Sequence, residues 1–245
     1  MATPRLKRDL SGKVSDILNN AEKYHGQFYD VKTFGGPSLH FHRRALGLEG
    51  KVLADEKAEL IYGVLASWGM HRMGPGGSKM LPFKVFKASL NALASQVSKA
   101  SGINPLAMTE GDWSQLESIF KTIQVMESQT RIVGNSKVMA HLLPNVIAPV
   151  DREYALEFLF GNGNITNDLD KEWLRLRKIH EEFFYPVARD GAFQKRAAIW
   201  MADQVQWPWD TSALKVIDNL VIGTKPPPLK KKKRQKPPLQ QQQQQ

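Results

Sequence analysis

The chain has 245 residues, 42% of them hydrophobic, and a formal net charge of +10 at pH 7. Seven of these positive charges lie from Lys225 onward with no acidic residue among them, which leaves three units of net charge on residues 1–224. The absence of cysteine excludes disulfides, thiolate nucleophiles and cysteine-ligated metal sites.

The first ten residues are charged and lack the apolar run that a signal peptide requires. No later stretch approaches the roughly 18 consecutive apolar residues that span a bilayer. The sequence therefore predicts a cytoplasmic protein with no membrane association.

The first third of the chain contains two helical patterns separated by an irregular one. Apolar residues at helical spacing predict a helix over 10–25 that stops at Gly26. Residues 28–48, interrupted by Gly35-Gly36-Pro37, predict either a loop packed on the core or a short pair of strands. The acidic start at Asp55, followed by an apolar run, predicts a central buried helix.

Helical patterns continue through the rest of the chain. A glycine-rich loop over 73–79 precedes a helix predicted over 82–99, and Thr109 with Asp112 predicts an N-terminal cap for the next helix. Further helices are predicted over 151–160, 168–188 and 193–205, and after Asp210. The fold class predicted is a mainly α, multi-helix globular body over residues 1–224.

The last segment, residues 225–245, combines prolines, basic residues and six consecutive glutamines. Such a composition cannot bury enough apolar surface to fold, so the sequence predicts a disordered basic and glutamine-rich tail. The tail is expected to act as a tether or as an electrostatic arm.

Residues 131–154 carry the most specific functional pattern. Gly134-Asn135 predicts a tight turn after an apolar helix, and Ser136 can cap a second short helix that has Lys137 in its first turn. Backbone N–H groups at the start of such a helix attract an anion such as a DNA phosphate. Farther along, Asp151 follows Pro149-Val150 and is placed either to cap the next helix or to face a cleft.

This order of a glycine turn, a lysine and Pro-Val-Asp resembles the helix-hairpin-helix DNA glycosylase superfamily. The resemblance implies that the turn from Gly134 to Lys137 binds the DNA backbone and that Asp151 is the catalytic carboxylate. It also implies a cleft between two helical subdomains that receives a flipped base. Ser136 stands where the family has a second glycine, and Lys137 lies one place before the family's catalytic lysine.

Aromatic and histidine residues outside this segment give weaker signals. Trp68 and Tyr154 are candidates for a base pocket, although aromatic side chains at helix ends more often belong to the core. His40 and His42 form a possible metal pair, but without a clear third ligand no metal and no cofactor are predicted.

Two functions follow from these patterns. The first is a DNA-binding protein of DNA repair, a glycosylase-like enzyme that acts on a damaged base. The second is a non-enzymatic helical nucleic-acid-binding or scaffold protein, in which Asp151 caps a helix and the tail binds nucleic acid.

Overall fold

A computed structural model of the chain describes residues 9–30, 35–48, 55–71, 73–74, 77–128 and 130–225. The predicted mainly α fold is confirmed, because helices account for most of these residues. The helices are α1 (Ser11–Asn19), α2 (Ala21–Asp30), α3 (Pro37–Leu46), α4 (Asp55–Ser67), α5 (Phe83–Asn91), α6 (Ala94–Ala100), α7 (Glu110–Thr122), α8 (Ile132–Leu142), α9 (Glu157–Phe160), α10 (Leu169–Ile179), α11 (Tyr185–Arg189), α12 (Gly191–Ala202) and α13 (Ala213–Gly223).

Short elements complete the described structure. π-Helical turns at Arg152–Leu156 and His180–Phe184 lead directly into α9 and α11. Two-residue antiparallel strands, β1 (Met73–Gly74) and β2 (Gly77–Ser78), form a hairpin within the predicted glycine-rich loop. The predicted tail lies outside the described residues from Pro226 onward.

Several boundaries differ from those predicted. Gly26 does not stop the first helix, because the break falls at Asn20 and Gly26 lies inside α2. The loop or strand pair predicted over 28–48 is wrong for 37–46, where Pro37 opens α3 in a position that suits proline. The helix predicted over 82–99 is divided into α5 and α6 at residues 92–93.

No helix among the described residues is both long and apolar enough to cross a membrane. The buried apolar side chains form one cluster that extends from Leu10 to Val221, with a smaller cluster of Phe28, Trp209 and Ile222 beside it. The described helices therefore pack around a shared core.

Helix α13 lies at the centre of this core. Every residue from Leu214 to Gly223 is buried, and the helix packs against α1, α2, α11, α12 and the π-helical turn at Arg152–Leu156. Leu214, Ile217 and Val221 supply apolar contacts, whereas Lys215, Asp218 and Asn219 bring polar groups into the interior. Burying such groups costs free energy unless they are paired, so each of them needs a hydrogen-bond or charge partner inside the fold.

The backbones of α13 and α2 approach each other closely at Gly223. A Cβ atom added to Gly223 would lie 2.0 Å from the carbonyl oxygen of Tyr24 and 3.2 Å from the backbone nitrogen of Phe28. Only glycine permits this contact without displacement of one helix.

We therefore expect Gly223→Ala to lower the free energy of unfolding by about 3 kcal/mol or more, because the added methyl group overpacks a backbone contact. Gly26→Ala is the matched control, since it lies in the partner helix with no atom within 4 Å of the added Cβ. That control should stabilise the protein by about 0.5–1 kcal/mol through helix propensity. Urea unfolding of both variants measures the difference, and equal stability of the two would contradict the proposed contact.

The segment between α8 and Asp151 is held by buried hydrogen bonds. His180 accepts a hydrogen bond at Nε2 from the N–H of Ala148 (2.9 Å) and donates from Nδ1 to the carbonyl of Leu176 (2.8 Å). Tyr185 donates from its hydroxyl to the carbonyl of Val146 (2.8 Å). These bonds fix the path of the chain that leads into Asp151.

Burial lowers the pKa of His180 from 6.5 to about 4, because a protonated ring would lose its solvation. Unfolded histidine binds a proton below about pH 6.5, so stability should fall with pH from 6.5 toward 4. The contribution of His180 between pH 7 and pH 5 is about 2 kcal/mol.

His180→Gln should therefore show a weaker loss of stability between pH 7 and pH 5 than the wild type, as measured by urea unfolding at both values. His71→Gln provides the control, because His71 is exposed. The same pH dependence in His180→Gln and in the wild type would show that His180 does not titrate on unfolding.

Candidate functional site

The turn predicted at Gly134-Asn135 is wrong, since α8 runs without interruption from Ile132 to Leu142. The N-terminus of this helix is already occupied. Glu172 accepts hydrogen bonds at Oε2 from the N–H groups of Arg131 (2.6 Å) and Ile132 (2.8 Å). The predicted start of a second helix at Ser136, where the sequence places a DNA phosphate, lies inside α8 and so offers no free helix N-terminus.

Three of the four residues predicted to bind the DNA backbone are buried and have structural roles. Gly134 allows α8 to approach Met126, because an added Cβ would lie 2.7 Å from the Met126 Cγ. Asn135 donates from Nδ2 to the carbonyls of Phe120 and Ile123, which closes the end of α7. Ser136 Oγ accepts a hydrogen bond from the N–H of Val150 (3.0 Å). None of the three reaches the surface.

Asp151 occupies the predicted N-cap position. Its Oδ1 accepts hydrogen bonds from the N–H groups of Tyr154 (2.8 Å) and Ala155 (3.1 Å), at the start of the π-helical turn that leads into α9. The cap uses only one carboxylate oxygen, and the negative charge also influences Lys137 and Asp218. Asp151 thus caps a helix and belongs to an enclosed group of charges.

We call this group the charge cluster: Lys137, Asp151, Lys215 and Asp218. Lys215 donates from Nζ to Asp218 Oδ2 (2.7 Å), and both side chains are about nine-tenths buried. Burial is the main reason that the pKa of Lys137 is lowered and that the pKa of Asp218 is raised. Attraction to Asp151 and Asp218 favours the charged form of Lys137 and opposes the effect of burial.

Lys215 and Asp218 are buried and carry a large desolvation penalty, whereas Lys137 and Asp151 are half-buried beside them. The desolvation of each ion costs several kcal/mol, and mutual attraction offsets it only when the geometry is good. Groups with shifted pKa values, such as Lys137 and Asp218, concentrate at functional sites. The charge cluster is therefore the best candidate for a functional site among the described residues.

A buried polar chain connects the cluster to α2. Asn219 donates from Nδ2 to Asp210 Oδ1 (2.7 Å), and the other oxygen of Asp210 is 2.7 Å from His25 Nε2. The ring of His25 stacks on Trp200 with centroids 3.9 Å apart. Sequence reasoning missed this chain because His25 and Asp210 are 185 residues apart and neither lies in a motif.

A small recess lies beside the cluster. Its walls include Trp68 from the end of α4, His42 from α3, His141 from α8, and Thr211 and Lys215 from the start of α13. The free volume of the recess, about 10 Å³, has room for about one water molecule. A larger occupant requires its walls to separate.

The two predicted base-pocket residues are near these features. Trp68 lines the recess, and the Nζ of Lys137 lies 5.1 Å from the centre of its ring, which is a cation–π distance. Tyr154 is half-buried, follows Asp151 in the π-helical turn, and has the Nζ of Lys225 5.1 Å from its ring. The structure thus brings Lys137 and Trp68 together, with Tyr154 next to the Asp151 cap.

The predicted histidine pair does not form a metal site. His40 is exposed on α3, whereas His42 is buried and faces His141, and no group of three or more potential ligands occurs among the described residues.

Comparisons with protein-family models, curated proteins and solved structures found no match.

Proposed function

We propose that this protein binds DNA and removes a damaged base from it, with Asp151 as the catalytic carboxylate. The observation that carries the proposal is the position of the Lys137 ammonium group, 5.1 Å from the centre of the Trp68 ring, where the charge of Asp151 also acts on it. A carboxylate in such a setting stabilises the positive charge that develops on the sugar as the glycosidic bond breaks. Trp68 supplies an aromatic face on which a base can stack.

Base binding requires the recess to open. A nucleobase is much larger than a water molecule, so Trp68 and the opposite walls must separate when a base is inserted. Extrusion of a base from duplex DNA costs a few kcal/mol and is easiest for a damaged or mismatched base. The closed recess therefore favours bases that are already weakly paired.

The DNA backbone needs a contact surface other than the predicted hairpin. Helix α3 presents His40, Arg43 and Arg44 along an open depression, while His42 on the same helix faces the recess. Arginine side chains are suited to phosphate because they donate in a fixed fork. In this proposal, α3 links the phosphate contacts to the base-binding recess.

The alternative is a non-enzymatic helical nucleic-acid-binding protein. It is supported by the two backbone hydrogen bonds that Asp151 accepts, since these give the carboxylate a complete structural role as a helix cap. In that case Asp151 contributes to stability alone.

Asp151→Asn separates the two functions, because asparagine is as good an N-cap as aspartate but carries no charge. We expect the variant to remain folded, because the helix cap is retained, while excision of a damaged base falls about 100-fold or more. The assay uses duplexes that contain uracil, 8-oxoguanine or an alkylated adenine. Asp190→Asn is the matched control, since Asp190 also caps a helix by accepting the N–H of Phe193.

A second pair of variants tests the role of Lys137 in base excision. Lys137→Gln should reduce excision, whereas Lys13→Gln should not, although Lys13 also lies over an aromatic ring, that of Phe158, at 4.5 Å. Failure of the intact protein to excise any base from the panel would favour the non-enzymatic function.

The salt dependence of DNA binding separates the contributions of the folded body and the tail. Deleting residues 226–245 removes six positive charges. The slope of log affinity against log salt should then flatten by up to roughly 0.9 for each phosphate that the tail neutralises in the intact protein. Arg43→Gln in the shortened protein should flatten it by about 0.9 more if Arg43 contacts a phosphate.

Lys99→Gln, an exposed substitution on α6, is the control for the Arg43 measurement. Fluorescence anisotropy with a labelled duplex at several salt concentrations provides the slopes. Identical slopes for Arg43→Gln and Lys99→Gln would remove α3 from the DNA interface.

A further inference from the structure

Three side chains at the recess form a hydrogen-bonded line that the DNA proposal does not use. His141 Nδ1 is 2.7 Å from the carbonyl oxygen of Lys137, and His141 Nε2 is 3.0 Å from His42 Nδ1. At the other end, His42 Nε2 is 3.1 Å from the hydroxyl oxygen of Thr211. The line thus runs from a backbone carbonyl to a hydroxyl group at the recess.

The carbonyl oxygen at the start of this line determines which nitrogen of each histidine carries the proton. A carbonyl oxygen can only accept, so His141 carries its proton on Nδ1 and, as a neutral ring, accepts at Nε2. His42 then donates from Nδ1 and accepts at Nε2, and the hydroxyl of Thr211 donates. Burial supports neutral rings, since it holds the pKa of His42 well below 6.5 and lowers the pKa of His141 to about 4.

We propose that Thr211 is a nucleophile activated by His42 as general base, with His141 as the positioning residue, and that this triad hydrolyses a short-chain carboxylic ester. A hydroxyl that donates to an imidazole, which is itself oriented by a third group, is the arrangement that activates serine and threonine nucleophiles. Here the third group is a neutral histidine in place of a carboxylate.

The surroundings of Thr211 suit an acyl group. Thr211 and Ser212 line the recess at the start of α13, where the first N–H groups of a helix lack intrahelical acceptors. The N–H of Thr211 donates to the carbonyl of Trp209 and that of Lys215 to Ser212 Oγ, so the N–H groups of Ala213 and Leu214 are the candidates to stabilise the oxyanion of a tetrahedral intermediate. Ile147, Pro144 and Pro149 make part of the wall apolar, which suits an alkyl chain. Because the free volume holds about one water molecule, the walls must separate even for a short acyl group, and a short chain requires the smallest opening.

The reaction balances with water as the only co-reactant. The Oγ1 of Thr211 bonds to the ester carbonyl carbon while its proton passes to His42 Nε2, and that proton then goes to the departing alcohol as the carbon–oxygen bond breaks. Water, deprotonated by His42, next attacks the acyl carbon, and the returning proton restores the Thr211 hydroxyl as the carboxylic acid leaves.

Methanesulfonyl fluoride, a small reagent that sulfonylates activated hydroxyls with loss of fluoride, tests the triad directly. Intact-mass and peptide mass spectrometry of the full chain should show one added methanesulfonyl group on Thr211. Thr211→Val should remove the label, and Thr211→Ser should retain it. Thr224→Val is the matched control at the far end of α13, where the Thr224 hydroxyl only donates to the carbonyl of Val221.

Hydrolysis of p-nitrophenyl acetate provides the catalytic readout for the same variants. Wild type, Thr211→Ser and Thr224→Val should turn the ester over, whereas Thr211→Val should not. Labelling or turnover that is the same in Thr211→Val and in the wild type would overturn the proposal. Because neither assay contains DNA, its outcome is independent of base excision.

The base and the positioning residue are tested by pH and by a pair of variants. Because the pKa of His42 lies well below 6.5, the labelling rate should stay constant from pH 8 to pH 6, and a fall centred near pH 6.5 would contradict this base. His141→Leu, which removes the acceptor for His42, should label about 100-fold more slowly. His141→Gln retains an acceptor and should restore most of the labelling rate. Equal labelling rates for the two His141 variants would exclude the positioning role of His141.

Discussion

The ion pair between Lys215 and Asp218 is the constraint on which the centre of this fold depends. It lies on a helix buried along nearly its whole length, so each of the two side chains is about nine-tenths removed from water. Removing one partner of such a pair leaves an uncompensated buried ion, which typically costs about 3–5 kcal/mol. Asn219 on the same helix accepts a hydrogen bond from Lys215 Nζ, and the charge of Lys137 favours the Asp218 anion, whereas the charge of Asp151 disfavours it.

The same burial has opposite consequences on the two sides of the recess. On the charged side it disfavours the ions of Lys137 and Asp218, and attraction between opposite charges offsets part of that cost. On the other side it favours neutral imidazoles, and His42 and His141 need only a directed line of donors and acceptors. One enclosed region thus holds an electrostatic site and a hydrogen-bonded site next to each other.

Features of this arrangement that depend on residues close together in the sequence are predictable, whereas features that depend on tertiary packing are not. Asp151 is expected at an N-cap because a short carboxylate between a proline segment and a helix satisfies nearby N–H groups. The turn predicted at Gly134 is wrong, because this glycine serves close packing inside a helix and the sequence alone does not distinguish these uses of glycine. His42, His141 and Thr211 meet across 99 and 169 residues, and only tertiary packing brings them together.

Helix α8 joins the two proposed activities through ordinary helical geometry. Lys137 and His141 are four residues apart, so they lie on the same face of the helix, which is the face toward Trp68 and His42. The ammonium group of Lys137 belongs to the charge cluster and lies over the Trp68 ring. The carbonyl oxygen of the same residue accepts the hydrogen bond from His141 Nδ1, which places the imidazole proton on that nitrogen. A replacement of the Lys137 side chain leaves that carbonyl in place, because the backbone of a continuous helix does not depend on it. The proposed base excision and the proposed ester hydrolysis are therefore expected to be separable by substitution at Lys137, although both proposals depend on the position of α8.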